Sequence, residues 1–273
     1  MQTGSEPDVR EDFNLPAPKP GADYLITVLR PEAPPPPEGY PVLYALDGRA
    51  VVEQLPEGAM ARPGAPVIVA IGYDTERRFA SAERARDYTP PDPDGRAVYD
   101  THGRPAGGAA VFHDLITGVI LPRAEALVPV DPARRTLWGH SFGGLFVLRS
   151  ALQPEGAWFS HFVSASPSLW WDDMRYRFAV HAALALGARP SAPLDLHLGG
   201  AERERASLPP GEDVKPFIRM RAALPPDSHA ELAADLARAG NPGGLTVFPG
   251  LSHGEAFGAS LRETLRGFAG TGG

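Results

Sequence analysis

Two short stretches, Pro41-Val42-Leu43-Tyr44-Ala45-Leu46 and Pro66-Val67-Ile68-Val69-Ala70-Ile71, run without a polar residue, and each ends at a glycine-containing turn. A strand with one face in water alternates polar and apolar residues, whereas a strand covered on both faces does not. The two runs therefore predict central strands of a sheet enclosed between two layers. Further strand candidates are Arg135 to Trp138, Phe159 to Ser164, Leu194 to Leu198 and Leu245 to Phe248. Segments of helical spacing fall among them: Ala109 to Leu121, Gly143 to Leu152, His229 to Ala239 and Glu255 to Phe268. This order predicts an α/β fold with a mainly parallel central sheet, helices on both faces, and a site at the carboxyl ends of the strands. Tyr24 to Leu29, with its β-branched centre, reads as an edge strand.

With 273 residues, 43% of them hydrophobic, the chain can bury one sizeable core. Residues 22–273 accordingly read as a single domain, preceded by a polar, proline-rich tail over 1–21. The segment Pro31 to Pro41 is a stiff loop. Residues 73–106 are polar and rich in arginine and proline, too long for a plain connection, and predict a functional loop walling a site. A formal charge of −7 argues against a nucleic-acid partner. No stretch approaches the roughly 18 apolar residues of a membrane span. The absence of cysteine excludes disulfides, thiolate nucleophiles and thiolate metal sites. The first residues hold no apolar signal core, so the chain as it stands reads as cytoplasmic, or periplasmic had a signal been removed upstream.

The pattern G-x-S-x-G occurs twice, as Gly139-His140-Ser141-Phe142-Gly143 and as Gly250-Leu251-Ser252-His253-Gly254. Context separates the two. Ser141 follows a strand and opens an apolar helix, the strand-turn-helix setting of the nucleophile elbow in α/β-hydrolases. Gly139, Gly143 and Gly144 supply the small residues that such a tight turn needs. Ser252 has only its neighbour His253 after it, while in this fold an acid and then a histidine follow the serine. Ser141 is therefore the candidate nucleophile.

A serine hydroxyl needs a base. Of the downstream histidines, His161, His181, His197 and His229 lie within or beside regular elements, and His253 follows a strand and a Pro-Gly turn, where a catalytic histidine is expected. Four acids compete to orient it. Glu202 leaves a strand through Gly199-Gly200; Asp172 and Asp173 follow Trp170-Trp171; Glu204 and a bare Ser-His dyad remain as further alternatives. The oxyanion hole is expected from the Phe142 N–H and, after Leu46-Asp47, the backbone of Arg49 or Gly48. Arg84 and Arg86, within a loop that also holds Arg77 and Arg78, are candidates for binding an anionic substrate, set against a surface ion-pair lattice with Asp74, Glu76, Glu83 and Asp87. Trp170 and Trp171 are candidate aromatic walls.

In this order, Tyr40 to Gly48, Arg86-Asp87-Tyr88-Thr89-Pro90, Gly139 to Gly144 and Ser166-Pro167-Ser168-Leu169-Trp170-Trp171 resemble the esterase D (Putative esterase) branch of the α/β-hydrolases. The nearest likeness is to ferric-siderophore esterases, over roughly residues 22–268. The resemblance implies an α/β-hydrolase fold with no large lid domain. It implies hydrolysis of small-molecule esters through an acyl-serine intermediate, without a cofactor or metal, on trilactone siderophores of the enterobactin type. Ser141 and His253 match the catalytic pair, and the turn after Asp47-Gly48 the oxyanion loop. A general carboxylesterase, thioesterase or acyltransferase of the same branch is the alternative, followed by a non-catalytic binding module of the same fold.

Overall fold

The computed structural model describes residues 10–19, 21–153, 157–202 and 216–269. Its first elements are β1 (Arg10–Leu15), β2 (Tyr24–Leu29), β3 (Tyr40–Leu46), α1 (Gly48–Gln54), β4 (Val67–Tyr73) and α2 (Ser81–Tyr88). A short hairpin, β5 (Val98–Tyr99) with β6 (Pro105–Ala106), leads to α3 (Ala109–Leu115), which runs through a π-helical turn into α4 (Leu121–Glu125). Then come β7 (Val130–His140), α5 (Phe142–Leu152), β8 (His161–Ala165), α6 (Arg175–Ala185), β9 (Leu194–Gly199), α7 (Pro216–Ala223), α8 (Ser228–Arg238), β10 (Leu245–Phe248) and α9 (His253–Ala269).

Eight strands form one sheet in the order β1-β2-β4-β3-β7-β8-β9-β10. From β4 to β10 the pairs are parallel, and β1 and β2 add an antiparallel edge. The uniform apolar runs are explained by the two layers that cover them. On β3 and β4, Val42, Tyr44, Leu46, Val67, Val69 and Ile71 face one core, shared with α3, α5, α6 and α8. Between them Leu43, Ala45, Ile68 and Ala70 face the other, shared with α1 and α9. Because side chains alternate across a strand, a strand buried on both faces is apolar at every position.

Three expectations are corrected here. The tail over 1–21 contains β1, whose Phe13 and Leu15 turn inward while its charged residues face out. Tyr24–Leu29 is therefore an inner strand, flanked by β1 and β4, and not the edge. The stretch 73–106, expected as a functional loop walling the site, is partly regular structure. It holds α2, whose Ala85 and Tyr88 are buried against the body of the protein. Among the described residues no helix is long and apolar enough to cross a membrane.

Candidate active site

The parallel strands deliver their successors to one end of the sheet: Asp47 after β3, Ser141 after β7, Ser166 and Ser168 after β8, Glu202 after β9 and His253 after β10. Ser141 lies between β7 and α5 with φ 62° and ψ −115°, a conformation that L-residues avoid. Crowding holds it there. A Cβ on Gly139 would come 2.5 Å from the Gly143 carbonyl oxygen, and one on Gly144 2.5 Å from that of Ala165. At Gly143 a Cβ would meet Leu46 at an ordinary 3.5 Å, so space demands glycine at 139 and 144 but not at 143. The Ser141 N–H donates to Ala165 O (2.9 Å), tying the elbow to the next strand. As the first residues of α5, Phe142 and Gly143 have N–H groups with no acceptor one turn back, free for a developing oxyanion. Among the described residues the Ser141 hydroxyl has Ser168 Oγ as its side-chain partner, at 3.2 Å.

His253 is the first residue of α9. Ser252 precedes it, and both its N–H (2.8 Å) and its hydroxyl (2.5 Å) donate to Glu255 Oε2, a carboxylate three positions on that secures the helix start. His253 Nδ1 is 2.9 Å from Glu202 Oε2. The other carboxylate oxygen, Oε1, accepts from Ser166 Oγ (2.5 Å) and from the Gly199 N–H (2.9 Å). Gly200 N–H donates to Phe248 O (2.8 Å) and Ala201 N–H to Leu251 O (2.9 Å), so the exits of β9 and β10 are stitched together and carry acid and imidazole as one unit. Burial by itself would raise the Glu202 pKa. The bonds from His253, Ser166 and Gly199 outweigh it and hold the carboxyl at about 2. Glu202 is the acid that reaches the histidine. Asp172 and Asp173 lie in a tight turn, where Asp172 is partly exposed and 4.0 Å from Arg175, and no hydrogen bond of either to His253 is found among the described residues. Glu204 lies outside the described residues.

The His253 ring packs on His140, centroid to centroid 4.5 Å. Burial, reinforced by the facing His253, pushes His140 well below the ordinary histidine range and keeps it neutral. The other histidines downstream of Ser141 have structural partners. His161 pairs with Asp195, His181 with Asp235, His197 with Ser260, and His229 with Pro167 O.

Ser141 and His253 open onto a cavity of about 310 Å³ whose walls include Phe142, Trp170, Trp171 and Arg84. Phe142 meets Trp171 edge to face at 5.1 Å and Trp170 at 5.6 Å, giving a continuous aromatic wall. A larger cavity of about 400 Å³, between the sheet and the end of α9, contains neither residue. Of the four arginines, only Arg84 lines the catalytic cavity. Arg86 bonds Asp87, Tyr24 and Pro18 O, away from it, which corrects the expectation that Arg86 binds substrate. Arg77 pairs with Glu83 and Arg78 with Glu53. The reason is helical: positions 84 and 86 lie about 200° apart around α2, so both cannot face one cavity. Arg49 spends its side chain on Glu53, Thr75 O and Glu76, leaving only its backbone for an oxyanion; its N–H and that of Gly48 lie in the first turn of α1. Sequence reasoning missed Ser166, Ser168, Arg104 and Arg221. The first two stand in the Ser166-Pro167-Ser168 motif, whose position just after β8 is the signal that was there to be read.

The family model described as Putative esterase matches residues 17–268. The chain is 40% identical over 153 residues to the Apo-salmochelin esterase of Escherichia coli, covering 54% of this chain and 47% of that protein, so it spans about half the length of that relative. It is 32% identical over 245 residues to the Siderophore enterobactin esterase of Emericella nidulans, covering 80% of this chain and 78% of the other. Among solved structures it resembles Enterobactin and Salmochelin Hydrolase IroE, with a TM-score of 0.73 and 29% identity over 96% of this chain and 95% of that one. That hydrolase has also been solved in complex with DFP.

Proposed function

The chain belongs to the Putative esterase family, and from that premise we propose that it is a serine hydrolase cleaving carboxylic ester or lactone bonds of catecholate trilactone siderophores. The observation that carries the reading is the 2.9 Å contact of His253 Nδ1 with Glu202 Oε2, beside a cavity shared by His253 and the strained Ser141. With Nδ1–H donated to the carboxylate, Nε2 carries the lone pair that accepts the Ser141 proton. Ser141 Oγ then bonds the ester carbon, and the Phe142 N–H with that of Gly48 or Arg49 receives the oxyanion. The imidazolium protonates the departing alcohol, leaving acyl-Ser141. Water repeats the sequence and releases the acid.

Support for the substrate class comes from the names of the relatives, enterobactin and salmochelin among them, and from the walls of the site. Flat apolar faces of Trp170 and Trp171 suit catechol rings, and Arg221 at the same cavity suits their negative charge. Incubating the protein with ferric and iron-free catecholate trilactones and following linear products tests the proposal. Turnover of either supports it. Brisk hydrolysis of simple aryl esters with neither trilactone opened would remove the siderophore assignment and leave a general esterase.

A further inference from the structure

Among the described residues one side chain meets the hydroxyl of Ser141, and it is another hydroxyl. Ser168 Oγ lies 3.2 Å from Ser141 Oγ, and the Ser168 N–H donates to the Ser141 carbonyl at 3.2 Å, so the two residues are joined at side chain and backbone. Ser168 belongs to the turn after β8, whose shape is fixed from within. Ser166 is left-handed at φ 44°, its N–H donates to His197 O (2.7 Å), the Leu169 N–H donates to Pro167 O (2.7 Å), and the Trp171 N–H donates to Ser168 O (3.0 Å). Ser168 is 1% exposed and stands behind the nucleophile, outside the walls of the catalytic cavity.

Either hydroxyl could supply the hydrogen of that contact, and the triad decides which. With the His253 Nδ1–H turned to Glu202, the lone pair on Nε2 claims the Ser141 proton. Ser141 Oγ is then the acceptor and Ser168 the donor. Such a bond does not weigh equally on the two halves of the reaction. Before acylation Oγ belongs to a hydroxyl, a good acceptor whose bond to Ser168 is already made, so attack gains little from it. In acyl-Ser141 the same atom is the bridging oxygen of an ester, a poor acceptor. As the second tetrahedral intermediate collapses, the C–Oγ bond breaks, its electron pair stays on Oγ and the proton arrives from His253 Nε2–H. The bond from Ser168 strengthens as charge gathers on Oγ, while Ser168 keeps its own proton.

We infer that Ser168 is a further catalytic residue, a hydroxyl that stabilises Ser141 Oγ as the leaving group and so speeds deacylation. The inference rests on the serine-hydrolase reading above. Its test is stopped-flow hydrolysis of p-nitrophenyl acetate by the parent, Ser168→Ala and Ser168→Thr, which resolves the burst of p-nitrophenol from the steady state. For Ser168→Ala the burst rate should stay within about threefold of the parent, while deacylation slows by about ten- to a hundredfold, the worth of a hydrogen bond to a charged atom. KM then falls alongside kcat, so that kcat/KM hardly moves, and intact-mass spectrometry finds acetyl-enzyme accumulating during turnover. Ser168→Thr, which keeps the hydroxyl, restores deacylation toward the parent rate. Equal losses in burst and deacylation rates would overturn the inference, since a residue that only shapes the elbow weakens attack and departure alike. Unchanged or faster deacylation in Ser168→Ala would overturn it too, and unfolding of that variant at the assay temperature would make the hydroxyl structural only. A parent that hydrolyses no ester would instead remove the hydrolase reading itself.

Discussion

Ser141 and Ser252 occupy the same five-residue pattern and the same place in a helix, one residue before its first turn, yet the fold treats their hydroxyls in opposite ways. Ser252 Oγ is spent on Glu255, donating to a carboxylate in the first turn of its own helix. Ser141 makes no capping bond to α5; the strained turn lifts its side chain out of the helix and into the cavity, where among the described residues its one side-chain partner is Ser168 at 3.2 Å. A glycine-flanked serine thus faces the cavity or its own helix according to what its backbone is forced to do. In this chain the force comes from Gly139 and Gly144, which lie where a methyl group would strike a carbonyl. The two motifs still belong to one site, because the bonds of Ser252 to Glu255 fix the position of His253.

The comparison breaks most sharply on substitution of the two serines. Ser141→Ala is expected to lose about 10⁴ to 10⁶ in kcat on any ester substrate. Ser252→Ala should keep kcat within about tenfold and the fold largely intact, because the N–H bond from residue 252 to Glu255 survives the substitution. Steady-state kinetics and thermal melts on both variants check the contrast.

Glu202→Gln comes next, with an expected fall of about 10³ to 10⁴ in kcat at nearly unchanged KM, because an amide no longer stabilises the imidazolium. Asp172→Asn and Asp173→Asn should stay within about threefold. Equal mild losses in all three would favour a Ser-His dyad.

Acid titration sharpens the same point. The folded state holds Glu202 at about 2 against an ordinary 4.5, so its contribution to stability is complete above pH 4.5 and is lost as pH falls toward 2. A shift of that size corresponds to at most roughly 3 kcal/mol. Urea unfolding of parent and Glu202→Gln between pH 7 and pH 2 should show a gap that narrows toward the acid end. A gap constant with pH would contradict the hydrogen-bonded carboxylate.

Much of this was legible in the sequence, for identifiable reasons. Apolar runs announced β3 and β4, and the chain order of serine, acid and histidine pointed to Ser141 and His253 but left Glu202, Asp172, Asp173 and Glu204 competing for the place of the acid. What escaped was hidden by composition. β1 carries Arg10, Glu11 and Asp12, and its inward Phe13 and Leu15 make too short an alternation to stand out. α2 is rich in charge, and its arginines look equivalent in a line of text, although helical rotation sends Arg84 to the cavity and Arg86 to Asp87. Ser166 and Ser168 gained meaning only when β8 brought them beside Glu202 and Ser141.

Labelling with a fluorophosphonate, followed by peptide mapping of the parent, Ser141→Ala and Ser252→Ala, tests the central claim most directly. The account predicts one adduct, on Ser141, retained in Ser252→Ala and absent from Ser141→Ala. Label on Ser252, or ester hydrolysis surviving unlabelled in Ser141→Ala, would contradict it.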